Sequence, residues 1–383
     1  MAVSMHKANH RRVVMFMPQK VHTGGERYLA EIFDHLQCQG VLVEPIYLEN
    51  TTRERRGIAL VMDCLLANFR FYCQVKQLSD LANVVFFEDF HLHPRLWLFN
   101  VLIRLTIGRL KTIVLVQSEL FYHTALSHRW AMWLDERVVR VFLKQSSLIL
   151  TNSEFTYQRV LSLGMNPHKV TAIFCGYDGN LLIRSAAAPA AWENRQRILF
   201  VGQCAECKGI EFLLRAMPMI TSHIALDIVG DTTAEPSYFT KLQHLIMVLG
   251  LESRVSFHGH VNDKTILAQF YQHSDVFVLP SLVEGFGIVL LDAMSFGLPI
   301  VATHVGAIPE LVQDGVNGSL VPPADPAALA EAIRRVLDSP TLHEQYGRAG
   351  YNFIAERREF YSWEAVGKRA LQAMQPLLYE VNQ

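Results

Sequence analysis

Short apolar runs that stop abruptly at polar or glycine residues constrain this chain more than any other feature. In the second half they are RILFVG (197–202), IALDIVG (224–230), RVSFHG (254–259), VFVLP (276–280), PIVAT (299–303) and GSLV (318–321). Helical spacing of apolar residues fills 209–217, 238–249, 264–271 and 288–296, and AALAEAIRRVL (327–337) follows the last run. Strands this short and apolar are buried on both faces, and the helices between them supply the crossovers that parallel strands require. The first half repeats the alternation with VVMFMP (13–18), VLVEPIYL (41–48), NVVFF (83–87), KTIVLVQS (111–118), SLILTNS (147–153) and KVTAIF (169–174). There, Gly24 and Gly25 open a helix with Tyr28, Leu29, Ile32, Phe33 and Leu36 on one face, and Gly40 ends it. A second helix is expected from Ser153 and Glu154 to Leu163.

Two α/β domains in series follow from this pattern. The Ala-rich stretch IRSAAAPAAWENRQ (183–196) separates them, and the 383 residues suffice for two cores. Half of the chain is hydrophobic and 19% is charged, which excludes disorder. The formal net charge of −1 argues against a nucleic-acid binder, yet it is a cancellation. Residues 1–178 carry 20 basic and 15 acidic side chains, and the other 205 carry 15 and 21. Six cysteines without a spaced framework fit a reducing compartment, and no 18-residue apolar stretch or N-terminal signal is present. A cytoplasmic protein is expected. Beyond 340 the chain is helical again, around Trp363.

In open parallel sheets ligands bind beyond the carboxyl ends of the strands. The residues placed there are Gly202–Gln203 with Lys208–Gly209, His258–Gly259, Pro280–Ser281 leading into Glu284-Gly285-Phe286-Gly287, and Thr303 through Gly306. Asp292 is expected two helical turns beyond Glu284. Glycines let backbone N–H groups approach an anion at a helix start, a lysine supplies a mobile positive charge, and carboxylates suit vicinal hydroxyls. The plain alternatives are a surface lysine at 208 and a solvent-facing helix-end residue at 292. Cys204-x-x-Cys207 and the pair His91 and His93 are weak metal or redox motifs, better read as ordinary thiols and imidazoles.

The stretch from VLPSLVEGFGIVLLDAMSFGLPIV to GSLVPPAD (278–325) resembles the donor-binding signature of retaining glycosyltransferase family 4. RILFVGQCAECKGIEFLLRAM resembles its phosphate loop, and GGERYLAE (24–31), LILTNSEFTYQRVL (148–161) and FCGYD (174–178) resemble its first domain. The resemblance implies a GT-B fold, with two Rossmann-like domains facing each other across a cleft and a C-terminal helix crossing back. The implied partition is an acceptor-side domain at 1–180, a linker at 181–196, a nucleotide-sugar domain at 197–357, and a returning helical segment at 358–383. The implied catalytic residues are Glu284 on the donor sugar, Lys208 on the diphosphate and Gln117, where the family usually has histidine. Donor-binding positions are Gly24, Gly25, Gln203, Gly285, Phe286, Gly287 and Asp292, the last on ribose. Gln203 replaces a customary arginine and Asp292 a customary glutamate. If Gln117 leaves a histidine role open, His93 and His123 are nearby candidates.

The activity so implied is transfer of a sugar, expected to be a hexose, from a UDP- or GDP-sugar to a hydroxyl of a glycan, polysaccharide precursor or lipid-linked acceptor, with no cofactor and no metal. The alternative is a non-catalytic or weakly active partner subunit of the same fold. A dinucleotide oxidoreductase is disfavoured because no G-x-G-x-x-G follows an early strand. RLWLFNVLIRLTIGRLK (95–111) mixes bulky apolar residues with Arg95, Arg104, Arg109 and Lys111, which suits peripheral contact with an anionic membrane; a core helix with basic ends is the other reading.

Overall fold

The computed structural model describes residues 13–18, 24–48, 84–88, 111–117, 137, 139–177, 196–221 and 223–378. These form two compact units, unit 1 from the chain up to Phe174 together with residues from Glu364 onward, and unit 2 from Cys175 to Trp363. His91, His93, His123 and residues 95–110 lie outside the described residues, as does 178–195.

Unit 1 contains β1 (Val13–Pro18), α1 (Gly24–Cys38), β2 (Val43–Leu48), β3 (Val84–Glu88), β4 (Lys111–Val116), β5 (Leu148–Thr151), α2 (Glu154–Ser162) and β6 (Val170–Ala172). The six strands are parallel in the order β2-β1-β3-β4-β5-β6. β1 pairs with both β2 and β3, so Val13 sits opposite Val43 and Val84. Helix α1 buries Tyr28, Leu29, Ile32 and Leu36 as its spacing predicts, while Phe33 is only half-buried. Each such Leu or Ile contributes about 1.5–3 kcal/mol by leaving water. Ser153 caps α2, its hydroxyl accepting from Thr156 N–H at 3.1 Å.

Unit 2 contains β7 (Arg197–Val201), α3 (Ile210–Ala216), β8 (Ala225–Val229), α4 (Pro236–Leu249), β9 (Val255–Gly259), α5 (Lys264–Gln272), β10 (Val276–Leu279), α6 (Ile288–Ser295), β11 (Ile300–Thr303), α7 (Ile308–Leu311), β12 (Gly318–Val321), α8 (Pro326–Asp338) and α9 (Pro340–Glu356). Its parallel strands run β12-β11-β10-β7-β8-β9. Central β8, β10 and β11 are buried at every position, whereas the edge strand β9 is buried only at Val255 and alternates half-buried and exposed residues beyond it. Asp263 caps α5 and Asp325 caps α8, where Pro326 takes the first helical position.

Helix α10 (Trp363–Leu378) belongs to unit 1 from Glu364 on. Gly367 lies against the His35 ring of α1 so closely that a Cβ there would collide with it. The Arg369 guanidinium donates to the Ile173 carbonyl at 2.9 Å. Within unit 2, Tyr177 N–H donates to the Tyr361 carbonyl at 2.9 Å, and Gly176 leaves no room for a Cβ beneath the Trp363 ring. The two stretches at which the chain changes unit are therefore neighbours.

Candidate active site

The strand order of unit 2 reverses between β7 and β10, which leave from the middle of the sheet toward opposite edges. A crevice forms at the carboxyl ends of such a strand pair. Lys208 follows β7 through one turn of 3-10 helix (Glu206–Lys208), and Glu284 follows β10 in an irregular loop. Their side chains meet there, with Lys208 Nζ 2.8 Å from Glu284 Oε2. Burial, the largest single effect, would lower the lysine pKa, but the charge and hydrogen bond of Glu284 together with the Cys207 side chain hold the ammonium above its ordinary range. Since the folded value exceeds the unfolded value of about 10.5, this stabilisation is fully present at neutral pH. It is lost only as the pH climbs through the folded value.

Backbone contacts hold the two loops together. Leu282 and Val283 N–H both point to the Cys207 carbonyl, at 2.8 and 3.4 Å. Gly209, at φ +64°, presses against the Pro280 carbonyl where a Cβ would collide. On the other side Gly306, at φ +53°, makes the same close approach to the Glu284 carbonyl. The Ser281 hydroxyl donates to Glu284 Oε2 at 3.3 Å, and Thr303 donates to the Ser281 carbonyl at 2.5 Å. Glu284 is thus fixed from β7, β10 and β11 together.

Gly287 adopts φ +88° and starts α6 without a side-chain cap, so the first N–H groups of that helix are not claimed by one. Helix α6 begins only at Ile288, so Glu284 and Asp292 do not share a helix, which corrects the expected two-turn spacing. Asp292 is 6% exposed. That excludes the solvent-facing alternative. Phe286 is buried, its ring 6.0 Å from that of Tyr361, so its side chain belongs to the packing and not to a ligand. Gln203 is half-buried just beyond β7, where its carbonyl accepts from Ala205 N–H.

His258 does not face the carboxyl edge. A register irregularity between β8 and β9 sets it beside Asp227, with His258 Nε2 2.7 Å from Oδ1. Arg197 binds the same carboxylate through Nε at 2.7 Å and Nη2 at 2.8 Å. This cluster spans three strands, with Asp227 and Arg197 buried and His258 accessible at the edge; it is structural, and spacing along the chain carries no signal of it. Cys204 and Cys207 are free thiols. Burial, with Asp231 adding, pushes Cys204 up to about 12, and burial likewise raises Cys207, so neither is a thiolate at neutral pH. Among the described residues no cluster of three His, Cys, Asp or Glu side chains has the arrangement to hold a metal ion.

In unit 1 the sheet order reverses between β1 and β3, and α1 starts at Gly24 and Gly25 after β1. Gln117 follows β4, is buried, and accepts through its backbone carbonyl from Asn152 Nδ2 at 2.7 Å.

The architecture, α/β with two Rossmann-like units, is the GT-B fold. Sucrose-phosphate synthase from Thermosynechococcus elongatus superposes with a TM-score of 0.77 at 20% identity, over 96% of this chain and 99% of that one. Anabaena HepE, solved in complex with UDP-glucose, gives 0.73 at 19% identity over 95% and 99%. Residues 195–339 match the family described as Glycosyl transferases group 1, so unit 2 carries a domain of that family. Over 238 residues the chain is 33% identical to an uncharacterized glycosyltransferase of Methanocaldococcus jannaschii, spanning 59% of each protein. It is 35% identical over 177 residues to a D-inositol 3-phosphate glycosyltransferase of Streptomyces griseus, spanning 43% of this chain and 36% of that protein. Less than two thirds of either relative is spanned.

Proposed function

We propose that the chain is a retaining glycosyltransferase of family 4 that moves a hexosyl group from a UDP- or GDP-sugar to a hydroxyl of a glycan, polysaccharide precursor or lipid-linked acceptor. One observation carries this reading: the Lys208–Glu284 pair stands at the carboxyl ends of β7 and β10, where the strand order of a glycosyl transferases group 1 domain reverses. An anionic donor brings phosphate to Lys208 and hydroxyls to Glu284, so both charges are exchanged rather than stranded. Asp292 takes the ribose, and the uncapped start of α6 with the N–H groups of 285–287 faces the diphosphate.

In the transfer the bond between the anomeric carbon and the diphosphate oxygen breaks, and a bond to the acceptor oxygen forms on the same face. The acceptor proton passes to the leaving phosphate. Lys208 and the backbone dipoles stabilise the charge that develops there without a metal ion. Unit 1 takes the acceptor, with Gln117 as a neutral hydrogen-bonding group. No described helix is long and apolar enough to cross a membrane. We place the acceptor side against an anionic membrane surface through residues 95–111; absence of cosedimentation with anionic liposomes at physiological salt overturns that part.

The central test is release of nucleotide diphosphate from UDP- and GDP-sugars, with EDTA present. Wild type is expected to turn over one of them, and Glu284→Ala to lose at least about 100-fold in kcat, the scale for removing a group that acts on the reacting centre. Donor binding without turnover in the wild type would instead mark a partner subunit.

A further inference from the structure

Tyr271, in α5, is 1% exposed. Its ring stacks on Phe296, just past the end of α6, with centroids 5.4 Å apart and planes 3° apart, and on Phe277 of β10 at 5.9 Å and 26°. These contacts fix the ring and leave its hydroxyl no path to water. That hydroxyl has no hydrogen-bond partner. A buried phenol ordinarily finds one, and a phenylalanine would fill the same stack without the unmatched oxygen.

The carboxylate that acts on this hydroxyl is Asp292 of α6, one helical turn before Phe296. Burial first, and the Asp292 charge second, push the Tyr271 phenol well above its ordinary pKa, so it keeps its proton throughout the physiological range. Asp292 is itself buried, on a helix that also buries Leu290, Leu291, Ala293, Met294 and Ser295, the last with its hydroxyl spent on the Asp292 backbone carbonyl. A carboxylate in such surroundings needs donors to hold its charge in one direction. Two phenols lie within reach of its field, Tyr271 on one element and Tyr177 on another. Tyr177 lies where the chain changes unit, and Arg358 already acts on it. Of the two, the hydroxyl that is buried without a hydrogen-bond partner is that of Tyr271.

Resting on the assignment of Asp292 to the ribose, we propose that Tyr271 is a positioning residue of the donor site, its hydroxyl donating to the Asp292 carboxylate when that carboxylate turns to take the ribose hydroxyls. The aspartate is one methylene shorter than a glutamate and has less freedom to find the ribose by itself. A locked phenol behind it supplies the direction.

Tyr271→Phe removes one oxygen and keeps the stack. UDP and GDP, each paired with its 2′,3′-dideoxy counterpart, are titrated calorimetrically into wild type, Y271F, D292A and D292N. Y271F is expected to melt no lower than wild type and to bind the ribonucleotide about fivefold more weakly. Both proteins are expected to bind the dideoxy nucleotide equally. In donor hydrolysis KM rises by the same factor while kcat stays within twofold, and in a D292N background the Tyr271→Phe penalty vanishes. Equal weakening for both nucleotides means a displaced ring, and no weakening means a hydroxyl without a role; either overturns the proposal. If D292A abolishes ribose discrimination while Y271F keeps it, the ribose assignment stands and Tyr271 alone fails. If wild type binds no nucleotide, or does not distinguish ribose from dideoxyribose, both fall.

Discussion

The two sheets place a reversal of strand order next to a helix start, yet they furnish it differently. In unit 2 the reversal between β7 and β10 brings together a lysine and a glutamate 2.8 Å apart, backed by Ser281, Thr303 and a glycine too close to Glu284 for any side chain. In unit 1 the reversal between β1 and β3 opens onto Gly24 and Gly25, and the described residue at the end of β4 is a neutral glutamine. One topology thus serves two electrostatic purposes. Unit 2 holds opposite charges in contact, which under the proposed function an anionic, hydroxyl-bearing donor takes up. In unit 1 the residues just beyond β4 and β5, Gln117, Asn152 and Ser153, are neutral amides and a hydroxyl.

The sharpest way to break this contrast is to compare Lys208→Met with Gln117→Ala. Removing the cation is expected to lower kcat by about 100- to 1000-fold, and removing the amide by about tenfold. Equal losses, measured as nucleotide release, would mean that unit 1 carries as much of the chemistry as unit 2. Gln203→Arg sharpens the same point from the other side. Restoring a planar cation beyond β7 is expected to raise kcat about fivefold if leaving-group charge limits the reaction; an unchanged kcat would show that Lys208 and the α6 start already suffice.

The smallest effect concerns unit 1 alone. Burial lowers the His35 pKa, with Lys368 adding to the lowering and Glu364 opposing it. A histidine whose folded pKa is depressed contributes stability above its unfolded value of about 6.5 and loses it as the pH falls below that value. Going from pH 7 to 5.5 is therefore expected to lower the Tm of unit 1 by about 2 °C and to speed amide exchange in α10. His35→Leu should remove that pH dependence. If α10 stays equally protected at both values, the contact with Gly367 does not depend on a neutral ring.

Much of the fold is legible in the sequence because each strand is a short apolar run ended by a residue that strands tolerate poorly. The expected runs 197–202, 276–280 and 299–303 become Arg197–Val201, Val276–Leu279 and Ile300–Thr303, differing only at their ends. The Glu284 and Lys208 positions are legible as a motif, but their ion pair is not, since 76 residues separate them. Gly306 reads as a strand-end glycine, and only the folded backbone shows that it admits the Glu284 carbonyl. The helix expected over 288–296 becomes Ile288–Ser295, but its burial is not legible, because its apolar pattern runs all round and offers no face on which to place Asp292. Asp227, an acid inside a buried strand, looks like an anomaly until Arg197 and His258 arrive from its two neighbours.

The membership of α10 in unit 1 has a consequence for how the protein is made. Unit 2 is one continuous stretch from Cys175 to Trp363, whereas unit 1 draws on residues from both sides of it. A nascent chain that has just emerged as far as Trp363 holds every residue of unit 2 but lacks the helix that covers His35. The half synthesised first is then the half completed last. Until α10 docks, the face of α1 around His35 stands open to solvent and to chaperones.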